Sequence, residues 1–188
     1  MPPAFDKELE EKILRAAQRL LRSQGASGLT LRAIAAEART TTPTVYKRFR
    51  SKEVLNRALA DRIREDLNRS LFACRTLEEV CRQYLRFAEE HPNEYQLMWT
   101  LWSEILDPRP ERRPGLVWAA SKFAERFGGE AAEYDRATYA MLLLCHGAAS
   151  FLTVPGNKAL HQDMRDYCLS ACDAILNQES LVNPPAHS

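Results

Sequence analysis

The sequence predicts an all-α protein, and three observations predict it. Apolar residues recur at helical spacing in nearly every segment, and no alternating strand pattern appears. Only 7 Gly and 10 Pro occur in 188 residues, too few for a many-turned β protein. Ala, Leu, Arg and Glu, all good helix formers, are abundant. With 45% hydrophobic and 27% charged residues the balance is that of a globular chain, which excludes disorder for most of it. The length suits one large domain or two small ones.

About nine helices are expected. The first runs from about Asp6 to Ser23, with Leu9, Ile13, Ala17, Leu20 and Leu21 on one stripe and Gly25 as its stop. Thr30 caps a short second helix in which Leu31, Ile34, Ala35 and Ala38 repeat at i, i+3, i+4 and i+7. Thr41 caps a third, Thr42 to Arg48, with Pro43 in the first turn where a missing N–H costs nothing. Ser51 caps a long fourth helix to about Ala73. Thr76 and Glu79 form a capping box opening a fifth, to about Glu90. His91-Pro92 separates it from a sixth, Asn93 to about Ile105. Residues 107–115 read as a surface loop. The seventh covers about Leu116 to Phe127 and ends at Gly128-Gly129; the eighth spans Glu130 to Thr153. The turn at Pro155-Gly156 leads into the ninth, Lys158 to about Asn177, and the tail from 179 to 188 reads as disordered.

The net charge of +1 conceals an asymmetry. Residues 1–75 hold 16 basic against 9 acidic side chains; residues 76–188 hold 10 against 16. A basic head on an acidic body suggests a head that meets a polyanion. The start of the chain has no basic stretch and no apolar signal core, and the five cysteines include no C-x-x-C, so reduced thiols in a cytoplasm are expected. The uncharged run from Ala137 to Val154 approaches the length of a membrane span. It contains Thr138, His146, Gly147, Ser150 and Thr153 and lacks dense basic flanks, so a buried helix is expected and no membrane association.

Two short helices joined by a tight break at 38–41 have the layout of a helix-turn-helix. A helix that enters the major groove must present small polar side chains at its N-terminal end. Thr42, Pro43 and Thr44 meet that need, Tyr46 and Lys47 follow on the outer face, and Val45 and Phe49 anchor the other side. Lys52 opposes the dipole of the fourth helix by a few tenths of a kcal/mol, a sign that an approaching phosphate would reverse. The run Thr30-Leu31-Arg32-Ala33-Ile34-Ala35-Ala36-Glu37-Ala38, followed by Thr41-x-Pro43-Thr44-Val45-Tyr46-Lys47-Arg48-Phe49-x-Ser51-Lys52-Glu53-x-Leu55, resembles the DNA-binding domain of the TetR family of bacterial transcriptional regulators. The chain departs from the family's usual Gly-Val at the turn, where it has Arg39-Thr40.

The resemblance implies a three-helix helix-turn-helix domain over 1–52, linked by a long helix to a helical effector-binding and dimerisation domain over 53–178. It implies double-stranded operator DNA as partner, with Thr42, Pro43 and Thr44 facing bases and Thr30, Tyr46, Lys47 and Lys52 holding phosphates. Thr41 and Arg32 complete the expected contact set, and Arg39 and Arg48 are weaker candidates. It also implies a homodimer through the last two helices. Met141, Leu144, Cys145, Ala148, Phe151, Leu152, Cys168 and Cys172 are the expected interface. The segment from His91 to Met98 and the pair His146-Gly147 resemble one C-terminal variant of the family. Phe87, Met98, Trp99, Trp102, Trp118, Phe123 and Met141 are candidates to line a pocket for a small hydrophobic effector.

An alternative reading keeps the DNA-binding dimer and replaces the organic effector by thiol oxidation or metal. Cys168 and Cys172 share a face of the ninth helix and could act with Cys145 or His161. An enzyme is not expected. No Ser-His-Asp set, metal-spaced His/Asp/Glu cluster or phosphate loop occurs. Cys145 and His146, adjacent on a helix, point about 100° apart and cannot form a nucleophile–base pair. No cofactor is implied.

Overall fold

The computed structural model describes residues 4–101 and 113–177, with side chains from Lys7 onward. Nine α-helices and no strand occur among the described residues. They are α1 (Ala4–Gln24), α2 (Leu31–Glu37), α3 (Thr42–Phe49), α4 (Lys52–Phe72), α5 (Leu77–Glu90), α6 (Pro92–Leu101), α7 (Pro114–Phe127), α8 (Asp135–Leu152) and α9 (Lys158–Asn177). Trp102, positions 107–112 of the expected loop and the expected tail at 179–188 lie outside the described residues.

Caps fix the helix starts where the sequence places them. Thr30 accepts from the Ala33 N–H at 3.1 Å, Thr41 from Thr44 at 3.3 Å and Ser51 from Val54 at 3.2 Å. Thr76 accepts from Glu79 at 3.2 Å, but the return bond of Glu79 goes to the Arg75 N–H, one residue before the cap. α1 starts two residues early, at Ala4, and α6 one residue early, at Pro92; two later starts differ for identifiable reasons. α7 begins at Pro114 rather than Leu116, since a proline at the first position sacrifices no bond. The segment after Glu130 first makes a 3-10 turn, Ala131–Tyr134, closed by reciprocal bonds of Glu130 and Glu133. The Tyr134 ring stacks on Phe123 and its hydroxyl donates to the Gly128 carbonyl at 2.7 Å. That tether holds Tyr134 off helical geometry, and α8 starts one residue later.

The chain divides into two compact units, one of Met1–Asp66 with His91–Trp102 and one of Leu67–Glu90 with Ser103–Ser188. This division differs from the 52/53 boundary expected from sequence. Leu55, Leu59 and Ile63 of α4 are buried, and Arg62 bonds Gln18 at 2.8 Å and Glu11 at 2.5 Å on α1. The first two-thirds of α4 therefore pack with the head. α6 joins the same unit across more than seventy residues of sequence. Its Glu94 is 0% exposed and accepts from Gln18 at 2.6 Å and Arg22 at 2.8 Å, both on α1. A buried carboxylate needs such partners, since without them its desolvation costs several kcal/mol.

In the second unit α8 packs against α5, α7 and α9. Ala137, Met141, Cys145, Ala149 and Leu152, at spacings of three and four, form its buried face. No described helix is long and apolar enough to cross a membrane.

Candidate nucleic-acid interface

The corner between α2 and α3 is closed by two backbone bonds, Arg39 N–H to the Ala36 carbonyl at 3.0 Å and Thr40 N–H to Ala35 at 2.9 Å. This is a Schellman stop, which puts one residue at positive φ. Arg39 is that residue, with φ of 50°, where a side chain costs about 1 kcal/mol relative to glycine. The departure at the turn thus leaves the helix-turn-helix geometry in place and strains it locally. A second non-glycine at positive φ, Arg50 at 60°, ends α3. No glycine marks that position, so the sequence held no sign of it.

α3 buries Val45 and Phe49 and turns its other side outward. Thr41 and Pro43 are exposed, Thr42 and Thr44 half-buried. The Thr41 and Thr44 hydroxyls lie 2.8 Å apart, so the rotamer of Thr44 is set before any partner arrives. Tyr46 is 51% exposed, as its place on the outer face of α3 requires. Thr30 spends a lone pair on its cap and retains its hydroxyl proton for an acceptor.

The cations separate into two groups. Arg19 pairs with Glu37, Arg48 with Glu10, and Arg62 with Glu11. Arg48, a weaker phosphate candidate by sequence, is therefore a brace between α3 and α1. Arg32, Arg39, Lys47 and Arg50 are exposed, and none forms an ion pair among the described residues. Lys52 is exposed beside Glu53, whose carboxyl lies below its ordinary value. The Ser51 hydroxyl, a backbone N–H and the Lys52 charge favour its ionised form. Uncompensated cations around small hydroxyl side chains can hold phosphates while the helix meets base edges.

The residues expected to bind an effector fall in both units. Met98 is buried and Trp99 half-buried in the first; Phe87, Phe123 and Met141 are buried and Trp118 half-buried in the second. Phe123 lies between Phe127 and Tyr134, with ring centroids 6.2 and 5.7 Å away, which is core packing. A cleft of about 640 Å³ in the second unit, lined by Arg82, Gln83, Arg86, Glu89, Arg165 and Leu169 among others, contains none of the expected residues.

Five of the eight residues expected at a dimer interface point inward. Met141, Cys145, Leu152, Cys168 and Cys172 are buried in the chain's own core, because they lie on the face of α8 or α9 that meets α5 and the other. Leu144, Ala148 and Phe151 lie on the open side. On the same side Leu143 is 68% exposed and Phe151 60%. A Cβ on Gly147, between them, would meet nothing within 4 Å. Leu160 and Tyr167 of α9 are also exposed.

The cysteines converge more than the sequence showed. Sulfurs of Cys81, Cys145 and Cys172 lie within 4.8 Å of one another, all three buried. Cys81 was missed because it comes from α5. Its sign was its place on the inward stripe with Tyr84, Leu85 and Ala88. His161 is not part of the group.

Comparison with known proteins gives a consistent family. A family model described as bacterial regulatory proteins, tetR family, matches residues 13–59. A second, described as tetracyclin repressor-like, C-terminal domain, matches residues 77–172. No curated protein sequence matches the chain. Among solved structures, a TetR transcriptional regulator from Streptomyces coelicolor is similar over 93% of this chain and 99% of its own, at 19% identity and a TM-score of 0.65. A TetR regulator from a Rhodococcus species is similar over 94% and 100%, at 16% identity and a TM-score of 0.58. The multidrug binding protein EbrR, complexed with proflavin, is similar over 89% and 99%, at 20% identity and a TM-score of 0.56.

Proposed function

The chain belongs to the TetR family of bacterial regulatory proteins, and from that premise we propose that it is a homodimeric repressor released from a palindromic operator by a small effector. The observation that carries the DNA-binding part is the outer side of α2 and α3. Arg32, Arg39, Lys47 and Arg50 are exposed and form no ion pair among the described residues, and the Thr41 and Thr44 hydroxyls pair at the start of α3. Thr42, Pro43 and Thr44 face bases. Thr30, Tyr46, Lys47 and Lys52 hold phosphates.

The outer side of α8 supports the dimer. Leu143 and Phe151, 68% and 60% exposed, would each gain about 1–2 kcal/mol on full burial, and Gly147 admits a close neighbour. A twofold partner offering the same face meets that need, and two recognition helices then reach successive major grooves about 34–36 Å apart. EbrR is complexed with proflavin, a precedent within the fold for a small ligand. Effector coupling of about 1–3 kcal/mol is the usual size for such release. A second reading, with metal or thiol chemistry in place of an organic ligand, is supported by the cysteine sulfurs gathered in the second unit.

The test is a fluorescence-anisotropy titration against random duplex and against DNA upstream of the protein's own coding sequence, at two salt concentrations. Tight, salt-dependent binding that prefers the upstream fragment is expected. Weak binding, equal on both fragments, would contradict a repressor with a local operator.

A further inference from the structure

Cys81 of α5, Cys145 of α8 and Cys172 of α9 bring three sulfurs together from three helices. The Cys145 and Cys172 sulfurs are 3.9 Å apart, and all three lie within 4.8 Å of one another. In a trigonal plane with bonds of roughly 2.3 Å, sulfurs stand about 4.0 Å apart. An ion equidistant from sulfurs 4.8 Å apart would sit about 2.8 Å from each, so a contraction of about half an ångström at most closes the site. Cys168, one turn before Cys172 on the same helix, is also buried. Core packing alone asks only for small apolar side chains, which alanine supplies as well; it does not ask that three thiols from three helices meet.

We propose that Cys81, Cys145 and Cys172 form a buried site for a soft thiophilic metal ion, Cu(I) foremost, with Cys168 as a reserve fourth sulfur. All the donors are sulfur, and no imidazole or carboxylate joins the group. Thiolates in an oxygen-free setting select soft ions, and three of them suit a trigonal monovalent ion, whereas structural zinc takes four ligands. On binding, each ligating S–H bond is replaced by a metal–sulfur bond and its proton passes to solvent; no electron is transferred. Because the ligands sit on α5, α8 and α9, the ion would fix the relative placement of these three of the second unit's helices. A consequence for operator affinity rests on the repressor reading; the site itself does not.

The full-length reduced protein, held anaerobically, is titrated with Cu(I), and separately with Zn(II), against a chromophoric chelator. One Cu(I) per chain is expected, with thiolate-to-metal absorption in the near ultraviolet and three sulfur neighbours at about 2.2–2.3 Å by X-ray absorption. Cys81→Ser and Cys172→Ser should each weaken binding at least about tenfold, and Cys74→Ser, outside the cluster, should not. Wild-type protein that leaves all Cu(I) and Zn(II) with the chelator overturns the site, as does nitrogen or oxygen coordination in the absorption spectrum. These two readouts need no variant to fold. Binding of Zn(II) by four sulfurs with no Cu(I) retained overturns the ion assigned. Operator anisotropy with and without Cu(I) is measured in parallel. Metal binding without a change in DNA affinity refutes control by metal; no DNA binding at all refutes the repressor reading and leaves the metal result standing.

Discussion

Arg39 holds a backbone conformation that glycine would hold with less strain. Its φ of 50° follows from the Schellman bonds that end α2, so the strain is built into the turn. Arg39→Gly should stabilise the protein by about 1 kcal/mol, a rise in Tm of roughly 2–4 °C for a chain of this size, read by thermal unfolding. Lys52 acts at another level. Lys52→Ala should weaken binding to all duplexes alike and lower the salt slope by about one, whereas Thr44→Ala should change base preference. An unchanged slope would remove Lys52 from the phosphate contacts. Glu11 carries a pH dependence. Burial pushes its carboxyl up, but hydrogen bonds from Arg15 and Arg62 outweigh that and leave it below its ordinary 4.5. A depressed carboxylate contributes stability above its ordinary value and loses it as pH falls through the lowered one. The stability gap between wild type and Glu11→Gln, measured by urea unfolding, should therefore be full at neutral pH and close below 4.5.

The helices whose starts were legible are those with local signals. Thr30, Thr41 and Ser51 each cap through a backbone N–H three residues on, a distance at which sequence and structure speak of the same atoms. The 3-10 turn before α8 was not legible, because it depends on Tyr134 reaching Gly128 and Phe123. Nor was the place of α6. Its Glu94 anchor binds Gln18 and Arg22 across 76 and 72 residues, and nothing near Glu94 announces that partner. Glu94→Ala should destabilise the protein by about 2 kcal/mol in chemical denaturation, by loss of bonds to a buried charge. On α8 the apolar pattern was legible and its orientation was not. A helix apolar all round gives no clue to which side its own chain covers. The exposed side, with Leu143 and Phe151, makes the sharper dimer test. Leu143→Glu should yield a monomer in analytical ultracentrifugation; a mutant that still sediments as a dimer would refute this face.

Over the whole molecule, the excess of basic residues before position 75 and of acidic ones after it is the pattern of a DNA-binding head on a body that DNA repels. Within the head, the helix-turn-helix was legible because it is a short-range object: caps, a turn and an anchored helix within thirty residues. The chemistry of the body was not, because it depends on side chains that meet from α5, α8 and α9. The cysteine cluster shows the difference: Cys168 and Cys172 share one helix and were visible as a pair, while Cys81 joins them from ninety residues away. The central claim is that α3 of two chains reads DNA in successive major grooves. Hydroxyl-radical footprinting of the protein on its preferred fragment tests this most directly. The account predicts two protected patches on one face of the duplex, centred about 10 base pairs or a multiple of that apart, both lost in a Thr42→Glu variant. Protection of a single patch, or two patches that survive the substitution, would contradict it.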